Sequence, residues 1–260
     1  MNLNLNNKYA LVCGSTQGIG KATAMALASE GVTVTLIARN EEKLKSVLAE
    51  LPAQRTHDYI VADFSDPKQL KGKIDDYIKQ HHGFHILINN TGGPKSGILH
   101  AASLEEFTNA FQMHIICNHI LVQACLPFMK TENYGRVINV ISTSVKEPIP
   151  GLGVSNTIRN AVANWAKTLS VELAEFGITV NNVLPGFTDT ARLDQIIKAK
   201  AERAGTTESE MEQIMKNYVP AKRFAKPEET ADAITFLASA SASYINGINL
   251  PVDGGRTKSL

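Results

Sequence analysis

Seven short apolar runs rich in β-branched residues recur along the chain: YALVC, VTVTLIA, YIVA, HILIN, RVINVI, ITVNNVL and NGINLPV. Stretches with helical spacing separate them, among them residues 18–30, 40–51 and 66–82. Such alternation predicts an α/β fold, a doubly wound Rossmann-type parallel sheet of about seven strands with helices on both faces. Ligands of such sheets bind beyond the carboxyl ends of the strands, near the point where strand order switches. No repeat, low-complexity stretch or Pro/Gly/Ser linker divides the chain, so residues 1–260 read as one domain.

The alternation fails once, over 191–220, where two helical segments follow each other with no strand between them. In the second, Thr207 and Glu210 have the spacing of a capping box. Met211, Ile214, Met215 and Tyr218 follow at i, i+3, i+4 and i+7. That stripe is either core packing or the inner face of a substrate-side flap, where methionine adapts to varied shapes.

Hydrophobic residues make up 43% and charged residues 20% of the 260, a globular balance that argues against disorder. A formal net charge of +1 offers no case for nucleic acid or an anionic membrane as partner. No apolar run reaches the ~18 residues that span a bilayer. The opening MNLNLNNKYA lacks the order of a secretory leader, and the closing TKSL is not a peroxisomal SKL signal. Cys13, Cys117 and Cys125 form no CxxC pair, which fits reduced thiols and neither a disulfide framework nor a structural metal site. The expected location is the cytoplasm.

The first strand runs into CGSTQGIGKATAMALA, with Gly14, Gly18 and Gly20 between strand and helix. Glycines there allow a tight turn and close approach to a pyrophosphate, which the helix N-terminus attracts. Gly14, Ser15, Thr16, Gly18, Ile19 and Gly20 are therefore the candidate phosphate loop of a dinucleotide site. At the end of the second strand an acid would select NAD(H), but Ala38 is followed by Arg39. Arg39 is either a solvated surface arginine or the partner of a 2′-phosphate, and the missing acid favours NADP(H) over NAD(H).

With GSTQGIG, ADFSD, INNTGG, GRVINVIS, NNVLPGFTDT and PVDGG in this order, the chain resembles the short-chain dehydrogenase/reductase family, in particular its ketoacyl-carrier-protein-reductase-like members. The likeness spans nearly the whole length. It implies a single dinucleotide-binding oxidoreductase domain with a helical substrate-side insertion at 191–220. It further implies Asp63 and Phe64 at the adenine, and the backbone of Asn90, Thr91 and Gly92 along the ribose. Pro185, Gly186 and Thr188 would follow the nicotinamide, with Thr190 at the phosphates. Related proteins pair through the helices that here hold His114 and Arg159, so a homodimer or homotetramer is expected.

The family's catalytic set is Asn, Ser, Tyr and Lys, the last two written YxxxK. Here Ser142 occupies the serine position, while Ser155, Arg159 and His114 occupy those of tyrosine, lysine and asparagine. A phenol of pKa ~10, lowered by a nearby ammonium, can deliver a proton to a reduced carbonyl, and a serine hydroxyl is a far weaker acid. Arginine can hold ribose hydroxyls but does not release its proton near neutrality. His114 shares one helical face with Phe107, Phe111 and Asn118 by spacing. It is either the replacement proton donor, with an ordinary pKa of ~6.5, or a buried neutral ring bonded to Asn118 or a backbone carbonyl. A metal role is not expected, because His119 points to another face.

Three functions remain open. The first is NADP(H)-dependent reduction or oxidation of a small carbonyl or alcohol, of 3-oxoacyl-thioester type by resemblance. The second is nucleotide sensing by a fold that has lost its chemistry. The third is an isomerisation or dehydration with His114 as base.

Overall fold

The structure, a computed structural model, describes residues 2–259. Seven parallel strands form one sheet: β1 (Tyr9–Cys13), β2 (Thr33–Ala38), β3 (Asp58–Val61), β4 (Ile86–Asn89), β5 (Gly135–Val140), β6 (Ile178–Pro185) and β7 (Asn249–Val252). Their order is β3-β2-β1-β4-β5-β6-β7, so the direction of winding reverses between β1 and β4. All seven apolar runs become strands, with ends shifted by up to three residues.

Helices α1 (Gly18–Ser29), α2 (Glu41–Glu50) and α3 (Pro67–Gln80) follow the first three strands. Next come α4 (Leu104–Phe111), α5 (Cys117–Thr131) and α6 (Gly153–Glu172). Past β6 lie α7 (Ala191–Ala204), α8 (Glu208–Asn217) and α9 (Pro227–Ala238). Among the described residues, no helix is long and apolar enough to cross a membrane.

Both faces of the sheet are covered, which explains why the strands are apolar at consecutive positions and not only at alternate ones. In β1, Ala10 and Val12 pack with Leu27 of α1, Leu44 of α2 and Ile234 of α9. Their neighbours Leu11 and Cys13 pack on the other face with Ile74 of α3, Leu121 of α5 and Ala166 of α6. Cys13, Cys117 and Cys125 are all free and buried, and the Cys117 thiol donates to the Phe64 carbonyl at 3.2 Å.

The 191–220 segment forms α7 and α8 without a strand. Thr207 caps α8 reciprocally with Glu210. Met211 and Met215 pack with Leu193 and Ile197 of α7, whereas Ile214 and Tyr218 stay exposed. Half of the apolar stripe is therefore core, and its other edge faces solvent.

One polar feature crosses this apolar sheet. Asn89, Asn139, Asn182 and Asn249 sit directly opposite one another on β4, β5, β6 and β7. The Asn89 amide donates to Asn139 at 2.9 Å, Asn139 to Asn182 at 2.9 Å, and Asn182 to Asn249 at 2.8 Å. Asn139 is fully buried and has both amide atoms engaged in the ladder. Asn139→Ala would orphan the Asn89 donor and the Asn182 acceptor, each costing about 1–3 kcal/mol. The melting temperature should fall by roughly 4–24 °C at the 2–4 °C per kcal/mol of a chain this size. An unchanged melting temperature would mean that the ladder contributes nothing.

Candidate active site

The site forms where β1, β4, β5 and β6 end, around a cleft of about 840 Å³. At its floor the chain leaves β1 through Gly14, with φ +58°, and enters α1 through Gly18, with φ +52°. A side chain on Gly20 would come within 2.1 Å of the Gly14 carbonyl oxygen, so the turn closes only around glycine. Behind the loop, the Asn90 amide donates to the carbonyls of Cys13 at 3.2 Å and Gly14 at 3.4 Å, tying it to the end of β4. Gln17, at the cap of α1, offers no side-chain acceptor, and the first turn carries no acid. The helix N–H groups and the positive end of its dipole are left for an anion.

Beyond β2, Arg39 and Lys43 both line the cleft, one helical turn apart. Neither belongs to any ion pair among the described residues; Glu41 and Glu42 are turned instead toward Lys45. Asp63, the only acid on the cleft wall, accepts the Ser65 N–H at 2.9 Å. On the opposite wall, a side chain added to Gly92 would meet nothing within 4 Å, so the cleft passes directly along bare backbone there.

Ser142 follows β5, and its Oγ accepts the Ser144 N–H at 3.0 Å, which leaves its own proton free to donate into the cleft. Ser155, on the first turn of α6, also lines the cleft and makes no hydrogen bond among the described residues. One turn further on, Arg159 is 8% exposed and donates from Nη1 to the Val140 carbonyl at 3.0 Å. Its Nε has no partner and no carboxylate pairs with it among the described residues. Burial, and then the nearby Arg192, pull its pKa down to about 10, so it remains a cation at neutral pH. Pro185, Gly186, Thr188 and Thr190 close the cleft past β6, and a side chain on Gly18 would touch the Thr190 methyl at 2.9 Å.

Of the residues singled out from sequence, Gly14, Thr16, Gly18, Ile19, Arg39 and Asp63 line this cleft. So do Phe64, Asn90, Thr91, Gly92, Ser142, Ser155 and Arg159. Ser15, Gly20 and His114 do not. Ser15 and Gly20 are buried behind the loop. His114 is 2% exposed, and its Nε2 has no partner.

The helical face expected for His114 is corrected by the backbone. Residues Gln112–Ile116 form a π turn between α4 and α5, which inserts an extra residue and rotates the side chains beyond it. Phe111 consequently points outward while His114 and Asn118 point inward. The ring lies against the backbone of Gly92, and no hydrogen bond joins it to Asn118 among the described residues. Burial, reinforced by the Arg159 charge, holds it neutral, well below the usual histidine range.

Lys43, Phe187, Arg192 and Ile196 line the cleft and were not singled out from sequence. Lys43 could have been found as the residue one turn beyond Arg39. Arg192 and Ile196 share a face of α7 that spacing alone would have grouped.

Comparison with known proteins agrees with this geometry. Residues 14–257 match the family described as Enoyl-(Acyl carrier protein) reductase. The chain is 30% identical to the NADPH-dependent reductase BacG of Bacillus subtilis, over 98% of this chain and 100% of that protein. It is 30% identical to the 3-oxoacyl-[acyl-carrier-protein] reductase FabG of Thermotoga maritima, over 97% and 99% respectively. L-Sorbose reductase from Gluconobacter frateurii, solved with NADPH and L-sorbose, superposes with a TM-score of 0.93 at 27% identity, covering 100% of both chains.

The neutral His114 has a consequence for stability. An unfolded histidine takes up a proton near pH ~6.5, while the folded ring resists it. Its contribution is therefore complete above that pH and is lost as the solution is acidified. His85, pulled down to about 4 by burial and by Lys8, acts in the same direction. In His114→Gln the decline of melting temperature from pH 6.5 downward should be shallower than in the wild type. Equal slopes would show that His114 protonates freely in the folded protein.

Proposed function

The chain belongs to the short-chain dehydrogenase/reductase family, and on that footing we propose that it is an NADP(H)-dependent oxidoreductase acting on the carbonyl or alcohol carbon of a small molecule. The observation that carries the cofactor choice is the pair Arg39 and Lys43 at the end of β2, two unpaired cations where an acid would select NAD(H). A 2′-phosphate offers both of them charge-assisted hydrogen bonds. The uncapped end of α1 suits the pyrophosphate, and the bare backbone at Gly92 leaves room along the opposite wall. The names of BacG and of the sorbose reductase complex, both tied to NADPH, support the same choice.

When bound, the nicotinamide supplies or accepts the hydride. The free hydroxyl protons of Ser142 and Ser155 are placed to hydrogen-bond a substrate oxygen as negative charge develops on it. Arg159 adds a fixed positive charge behind them. None of the three gives up a proton readily near neutrality, and His114 is neutral and behind the wall. The proton is therefore drawn from water in the open cleft. Forgoing a positioned acid slows such a reaction by about 10²–10⁴-fold, while alignment of the reactants is retained.

Titration with both nucleotides tests the cofactor. NADPH should bind at least ~10-fold more tightly than NADH, and Arg39→Ala with Lys43→Ala should weaken NADPH alone by roughly 10–100-fold. Failure to bind either nucleotide would sink the assignment. Turnover on a panel of carbonyl compounds, followed by nicotinamide absorbance, tests the chemistry. Ser142→Ala should lower kcat by roughly 10–1000-fold. Tight NADPH binding with no turnover, unrelieved by Ser155→Tyr with Arg159→Lys, would instead favour a nucleotide sensor.

A further inference from the structure

A second, smaller pocket of about 170 Å³ opens beside the main cleft and shares Ser142, Pro185, Gly186, Phe187 and Ile196 with it. It thus lies on the far side of the candidate reacting atoms from the phosphate loop. Most of its wall is apolar, built from residues such as Ile149, Leu152 and Ala199. Its charged residues are all cations: Lys200 and Arg203 from α7, and Arg256 from beyond β7. Among the described residues, no acidic residue lines it.

These three cations lack direct carboxylate partners, although the charges of Asp253 and Glu147 reach Arg256. None forms an ion pair with a carboxylate among the described residues, where the ion pairs lie elsewhere. Arg256 is fixed in place: it donates from Nη1 to Thr143 Oγ1 at 3.0 Å and lies over the Phe187 ring at 4.4 Å. The two acids that act on Arg256 are hydrogen-bonded to backbone N–H groups and keep their negative charge. Asp253 accepts the N–H groups of Gly255 at 3.0 Å and Thr257 at 2.7 Å, and Glu147 accepts those of Lys258 at 2.7 Å and Ser259 at 3.0 Å. Burial and the charges of Arg256 and Arg203 depress the Lys200 pKa, a sign that the three crowd one another.

We propose that the substrate is a small, largely apolar carbonyl or alcohol compound that carries an anionic group, of carboxylate or phosphate type, seated against Lys200, Arg203 and Arg256. This rests on the reading of the adjoining cleft as a hydride-transfer site. A chain of net charge +1 has no general surplus of cations to scatter here, and the cofactor's phosphates are accounted for on the other side of the site. The anion would draw the substrate in and orient it, with its reacting carbon left at Ser142. The apolar wall and modest volume limit the rest of the molecule to a short hydrocarbon body.

Binding can be measured apart from turnover, by calorimetry on NADPH-saturated protein. The unreactive probes are benzoate, phenyl phosphate and the neutral benzamide; the reactive pair is 4-oxopentanoate and its methyl ester. At least one of the two anions should bind roughly 10–100-fold more tightly than benzamide, weakening with added salt. Which anion binds better assigns carboxylate or phosphate. The double variant Lys200→Gln with Arg203→Gln should lose that advantage, whereas Lys198→Gln, on the same helix but outside the pocket, should keep it. Equal binding of anions and benzamide, or anion binding indifferent to Lys200→Gln with Arg203→Gln, overturns the proposal. Should the ester be reduced as well as the acid, the hydride-transfer reading stands and the anion pocket falls. If the anions bind through Lys200 and Arg203 but no carbonyl compound is turned over, the reverse holds.

Discussion

Four asparagines bonded side chain to side chain across β4, β5, β6 and β7 fix the register in which these strands lie. A parallel sheet covered on both faces offers a polar side chain almost no partner except the residue directly opposite on the next strand. Each asparagine amide has both a donor and an acceptor, so identical residues in register can satisfy one another, and a shift of one strand by a single residue would bury several unpaired amides. The ladder therefore penalises the wrong register more than it rewards the right one. Its placement matters because the site grows from the residues just beyond it. Asn90 adjoins Asn89, Ser142 lies three residues past Asn139, and Pro185 lies three past Asn182.

Beyond the ladder the cleft is assembled by few contacts. Asn90 reaches back to hold the phosphate loop, and Thr190 meets the same loop from the side of α7. The loop is therefore held between the end of β4 and the start of α7, the helix that carries Lys200 and Arg203 of the smaller pocket. The buried charge of Arg159 is stable in this setting because its Nη1 is anchored on the carbonyl that ends β5, while its unsatisfied Nε is the kind of group that ligand hydroxyls or a substrate oxygen complete.

Much of this was legible in the order of residues. The strands could be read because burial on both faces writes them as unbroken apolar runs, and the phosphate loop because glycine at Gly14 and Gly20 is required by backbone geometry. The ladder was visible in principle as asparagines inside ILIN, RVINVI, TVNNV and GINL, but a polar residue in an apolar run identifies its partner only once strand order is known. The face of His114 was misread because helical spacing assumes an unbroken turn, and a π turn leaves no simple mark in sequence. The stripe on α8 was half right for a related reason: spacing gives a face, and only packing against α7 decides how much of that face is covered.

The distribution of charge is the property that no local pattern reveals. Arg39, Lys43, Arg159, Arg192, Lys200, Arg203 and Arg256 are scattered over the chain, and several look like ordinary surface cations beside their neighbours. The fold brings all of them to one edge of the sheet, where among the described residues Asp63 lines the cleft and Asp253 and Glu147 act on Arg256. Elsewhere some lysines pair with acids on outer helix faces, where such pairs are worth little. Gathering seven cations without direct ion pairs around two adjoining pockets, against few acids, raises the free energy of the empty protein through their mutual repulsion. That repulsion is relieved by anions on both sides of Ser142, so the same cost that destabilises the empty fold becomes a gain in affinity when both partners are present.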